Sequence, residues 1–87
     1  MTDDALALAV ARAIRAERVR AGLTQAQLAE RLGINPVTVS QIETLARRVY
    51  MDEMPLICQS LGVTLDQLLF RAPNEARKML GFTAPDV

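Results

Sequence analysis

The chain has 87 residues, room for one domain near the lower size limit of what folds without staples. A single cysteine, Cys58, and no histidine leave no intrachain disulfide, no zinc ligand set and no Cys–His nucleophile, so neither a metal nor another cofactor is expected. Ten basic residues balance ten acidic ones, nine of the cations being arginine, so any electropositive face must come from how charge is distributed.

No apolar run approaches the ~18 residues of a membrane span. The acidic start MTDD reverses the pattern of a secretory signal, and the expected compartment is the cytoplasm.

Apolar residues recur at helical spacing throughout and strand-like alternation is missing, which predicts an all-α fold of five helices. The first begins near Asp3 or Asp4, carries Leu6, Val10 and Ile14 on one face, and ends at Gly22. Arg12, Arg15 and Arg20 form its solvated side. Thr24 starts the second helix with a capping box to Gln27, and Leu28, Ala29 and Leu32 turn inward before Gly33 stops it. Asn35 caps the third, with Pro36 at the first helical position, where the missing N–H costs nothing. Ile34, Val39 and Ile42 are expected to pin this helix across the second.

The fourth helix spans about Met51 or Asp52 to Leu61, with Pro55 in its first turns and Gly62 at its end. Cys58 reads as a small buried hydrophobe, and Met51 and Met54 as packing or interface residues. Thr64 caps a short fifth helix carrying Leu65, Leu68 and Leu69. This gives a domain over 1–72 and an extension over 73–87, in which EARKML suits a short extra helix before a frayed tail.

The stretch QAQLAERLGINPVTVSQIE, residues 25–43, is two short helices across a glycine turn. Together with GLTQAQLAERLGI before its turn, SQIE at its end and SLGVTLDQLLF further on, it resembles the lambda-repressor-like family. These are the Cro/CI-type, or XRE, helix-turn-helix proteins of bacteria and phages. The resemblance covers about residues 10–70. It implies a DNA-binding domain whose second and third helices are the helix-turn-helix, with the third lying in a major groove.

The resemblance also implies roles for matching positions. Asn35, Val37, Thr38 and Gln41 would face the bases, Gln41 by a bidentate amide contact most natural to adenine. Thr24 and Gln25, at the start of the second helix, and Arg47 and Arg48, in the loop after the third, would touch backbone phosphates. Arg18 and Glu43 fall where family members place a structural ion pair.

The loop TLARRVY departs from the family's short polar turn and holds no glycine. From this, the third helix is expected to run on to about Ala46, with Leu45 and Tyr50 needing burial.

One such domain reads few base pairs, and the resemblance implies the family's solution, a two-fold dimer on half-sites ~34 Å apart. Val63, Leu65, Leu69 and Phe70 are the expected interface, joined by Met79, Leu80 and Phe82, unless the tail folds back over its own core. The partners that follow are double-stranded DNA and a second copy, with no membrane and no metal. A transcriptional regulator, most simply a repressor, is the first reading, and no catalytic residue is assigned. An antitoxin, with a toxin as its protein partner, a restriction-system controller, and a protein-interaction module of the same fold are the alternatives.

Overall fold

In a computed structural model the chain is described over residues 3–70, and every described regular element is helical. The helices are α1 (Asp3–Arg20), α2 (Gln25–Leu32), α3 (Pro36–Glu43), α4 (Met54–Leu61) and α5 (Leu65–Phe70). A single 3₁₀ turn over Met51–Glu53 leads into α4. The expected extension over 73–87, and with it Met79, Leu80 and Phe82, lies outside the described residues, as do the side chains of Leu6 and Phe70.

Local chemistry sets most of the helix ends. The Gln27 N–H donates to Thr24 Oγ1 over 3.1 Å while the Thr24 N–H donates to Gln27 Oε1 over 2.8 Å, a reciprocal cap on α2. Thr64 and Gln67 repeat the arrangement on α5 at 2.9 and 3.0 Å. Asn35 Oδ1 accepts the Val37 N–H at 2.8 Å and Pro36 opens α3. Gly33 ends α2 at φ 70°, in the left-handed region, so the chain reverses within one residue.

The core is continuous. Ile14 from α1, Leu28 and Ala29 from α2, Val39 and Ile42 from α3, Met54, Ile57, Cys58 and Leu61 from α4, and Leu68 from α5 are all buried in it. Cys58 therefore sits as a small core side chain, and Met54 packs while Met51 is exposed. Ala29 is buried on α2, which packs more extensively on α3 than on any other helix. Arg31 adds a polar tie, donating from Nη1 to the Ser60 carbonyl at 3.0 Å and linking α2 to α4. No described helix is long and apolar enough to cross a membrane.

Three expectations are corrected. First, α3 stops at Glu43 and does not reach Ala46. Leu45 enters the left-handed region at φ 62°, so it supplies the break that a glycine usually makes. Leu45 is half-buried, yet Tyr50 stays 65% exposed, so only one of the pair is covered. Second, Ile34 is 37% exposed and contributes less to pinning α3 than Val39 and Ile42, which are buried. Third, the fourth helix begins as a 3₁₀ turn and becomes α only at Met54. Pro55 then falls at its start, where no N–H is required of it.

Candidate nucleic-acid interface

Helix α3 divides into two faces by its own periodicity. Val39, Ile42 and Glu43 point inward and are buried, and positions spaced three and four apart share a side of a helix. The opposite side carries Asn35, Pro36, Val37 and Gln41, all exposed, with Val37 at 61%. Thr38 is half-buried between them. Among the described residues nothing covers this outer face at Asn35, Pro36, Val37 and Gln41.

Its chemistry is uneven. Asn35 has committed its carbonyl oxygen to the helix cap, leaving the amide NH₂ as its outward group. Pro36 offers no donor, Val37 offers an apolar surface that fits a thymine methyl, and Gln41 offers both an acceptor and a donor. Readout therefore concentrates on Gln41, with Thr38 and Asn35 beside it.

The inner end of α3 is held by charge. Arg18 of α1 donates from Nε to Glu43 Oε2 at 2.6 Å and from Nη2 to Glu43 Oε1 at 3.1 Å. Its third nitrogen, Nη1, donates to the Leu23 carbonyl at 2.7 Å. The side chains are 11% and 1% exposed, so the pair lies beneath the surface. A bidentate fork of this kind fixes direction as well as distance.

Gln25 joins the same pair, which sequence reasoning missed. Its Nε2 donates to Glu43 Oε1 at 3.1 Å, so one of its two amide hydrogens is already used inside the protein. The residue expected to reach a phosphate thus also braces α2 against α3, and one Nε2 hydrogen and Oε1 remain for anything outside. Thr24 is exposed, but its hydroxyl oxygen is the acceptor of the α2 cap.

The loop from Thr44 to Tyr50 wraps against the end of α3. The Arg47 N–H donates to the Gln41 carbonyl at 3.1 Å, which puts the loop beside the outward residue Gln41. The Arg47 side chain is tied down: Nη2 pairs with Glu53 Oε2, Nη1 donates to the Arg48 carbonyl at 3.1 Å, and the guanidinium lies 5.7 Å from the Tyr50 ring centre. The hydrogen bond from Arg47 holds the Glu53 carboxyl below the usual range, helped by the Tyr50 N–H, and the same bond raises the guanidinium. The partner of Arg47 was also missed from sequence. The spacing Tyr50-x-x-Glu53 that closes the turn was the signal available. Arg48 is exposed at the mouth of a neighbouring apolar cavity.

The residues expected at a dimer interface lie elsewhere, on and before α5. Val63 and Leu69 are half-buried and Leu65 is 40% exposed. Leu65 and Leu69 line an apolar cavity of about 280 Å³ together with Val10, Leu45 and Val49.

A family model described as Helix-turn-helix matches residues 14–68, more than half of the chain. Among solved structures, the clp gene regulator ClgR from Corynebacterium glutamicum is similar at 27% identity and TM-score 0.73, over 86% of this chain and 92% of that one. The wild-type restriction-modification controller protein C.Esp1396I is similar at 24% identity and TM-score 0.72, over 86% and 92%. The controller C.AhdI from Aeromonas hydrophila follows at 23% and 0.65, over 70% and 92%, and these two likenesses concern the fold alone. Comparison with curated proteins gives no match.

Proposed function

The chain belongs to the XRE-type helix-turn-helix family of DNA-binding regulators, and on that basis we propose that it represses transcription as a homodimer on a palindromic operator. One observation carries the reading. The inner face of α3 is locked by Val39, Ile42 and the Arg18–Glu43 pair, while Asn35, Pro36, Val37 and Gln41 on its outer face are exposed among the described residues. A helix so held can be inserted into a major groove about 12 Å wide without rearranging the protein.

Gln41 reads a base edge, most naturally adenine, with Asn35, Val37 and Thr38 as its neighbours in the groove. Thr24, Gln25, Arg47 and Arg48 set the protein on the phosphates. Thr24 and Gln25 do so from the start of α2, where unpaired N–H groups favour an anion. A second copy docks on Val63, Leu65, Leu69 and Phe70. The exposed Leu65 and the apolar cavity beside it favour that surface. Bound across a promoter, the dimer excludes polymerase.

Binding to random duplex DNA, followed by fluorescence anisotropy across a salt series, tests this. A DNA binder shows affinity at low salt that falls steeply as salt rises, with a slope of about −0.9 per phosphate neutralised. A protein that ignores duplex in dilute buffer uses the fold for protein contacts instead. Light scattering at tens of micromolar then asks for the dimer.

A further inference from the structure

Arg47 of the loop after α3 pairs with Glu53 of the following 3₁₀ turn, a carboxylate to which the DNA-binding reading gives no part. We propose that Glu53 competes with DNA phosphate for Arg47 and thereby holds down the affinity of this face for duplex of any sequence. The inference rests on the DNA-binding reading above and adds a residue that limits it.

Position comes first. The Arg47 N–H donates to the Gln41 carbonyl, so the loop that carries this guanidinium is anchored on the end of α3 that bears Gln41. Its partner is not a swinging side chain. Glu53 Oε2 takes Arg47 Nη2, while Oε1 accepts the Tyr50 N–H at 2.8 Å and closes the 3₁₀ turn. The carboxylate is thus fixed in place by backbone as well as by charge. The two side chains remain 31% and 33% exposed, so an incoming phosphate can reach the guanidinium from solvent.

Carboxylate and phosphate want the same thing from arginine, two parallel N–H donors in one plane. A phosphate that approaches Arg47 also approaches Glu53, well inside the ~8 Å over which charges act at physiological salt. Either Arg47 leaves Glu53 for the phosphate, stranding a carboxylate beside the DNA, or it stays and the loop contributes little net positive charge. Both outcomes reduce the counterions released. In a chain of net charge zero, with Arg18 and Arg20 also engaged by Glu43 and Glu17, this loss is a sizeable part of the attraction to DNA. Because a phosphate contact carries no sequence information, the loss falls on operator and random duplex alike.

The test is Glu53→Gln in the full chain, measured on random duplex over 50 to 200 mM salt as a range that resolves roughly one phosphate contact. Glutamine keeps an oxygen for the Tyr50 N–H and removes the charge. The expected result is binding roughly three- to ten-fold tighter at the low-salt end, with a slope steeper by about 0.9. Adding Arg47→Ala to Glu53→Gln should abolish the gain, because the gain acts through that guanidinium. Glu53→Ala, which also removes the turn's acceptor, serves as a second variant and should shift the slope in the same direction. A Glu53→Gln protein of unchanged thermal stability whose affinity and slope equal or fall below those of the wild type overturns the proposal and makes Glu53 a support for Arg47. Failure of the wild type to bind any duplex overturns the DNA-binding reading itself and this inference with it.

Discussion

Arg18 and Glu43, 25 residues apart, are joined by two hydrogen bonds at 2.6 and 3.1 Å that tie the C-terminal half of α1 to the last residue of α3. The orientation of the outward face of α3 depends on this tie. Its two-pronged geometry specifies direction as well as proximity.

Removing one partner should be costly. In Glu43→Ala the Arg18 guanidinium keeps its bond to the Leu23 carbonyl but loses its counter-charge, and breaking a buried pair in this way costs about 3–5 kcal/mol. Urea unfolding should show a loss of that order. Replacing both residues by apolar side chains of similar volume, Arg18→Met with Glu43→Leu, should recover much of it. A loss below about 1 kcal/mol for Glu43→Ala would put the pair with exposed ones.

Gln41 is the exposed side chain of α3 best equipped for a bidentate base contact, since the oxygen of Asn35 is already taken by the cap. Gln41→Ala should leave stability almost untouched and relax sequence preference at one position per half-site. The expected cost is about 1–3 kcal/mol on the preferred site only. Selection from a random duplex pool before and after the substitution measures it directly.

Leu45 occupies φ 62° without being a glycine. An L-residue pays roughly 1–2 kcal/mol for that region, and Leu45 offsets part of it by lining the apolar cavity with Val10 and Leu69. Alanine would keep the strain and lose the contact, whereas glycine would lose both. Leu45→Gly should therefore be more stable than Leu45→Ala by about 1 kcal/mol in thermal or urea unfolding. The opposite order would mean that the loop does not hold this conformation in solution.

Burial pushes the Cys58 thiol above its ordinary value. A thiol buried and kept protonated reacts slowly, so labelling at about pH 8 should be slow in the native protein and fast in denaturant. The sign for stability follows from the same shift. Below the unfolded-state value of ~8.5 both states are protonated and nothing is lost. Above it the unfolded chain ionises first, so stability falls as pH rises towards the folded value. Cys58→Ala should flatten that alkaline decline, read as the pH dependence of the unfolding midpoint.

Much of the fold was legible because its signals act over three or four residues. Thr24 with Gln27, Asn35 with Pro36, Gly33 and Thr64 each settle a helix end through bonds to their own neighbours. The inward set of Val39 and Ile42 follows from helical period alone. The outward set at Asn35, Val37 and Gln41 is what that period leaves over.

What only the tertiary structure decided concerns positions where no neighbour chooses. The end of α3 is not legible in the sequence because glycine is the usual sign of a left-handed residue, and here a leucine that lines the apolar cavity takes that conformation. Gln25 and Arg47, long polar side chains near the interface, could reach solvent, phosphate or protein with equal ease on sequence grounds. Glu43 captures the first and Glu53 the second. Glu43 approaches Gln25 across 18 residues of chain. A flexible side chain bonds to whatever acceptor the folded backbone brings within about 3 Å, and that proximity is a property of three dimensions.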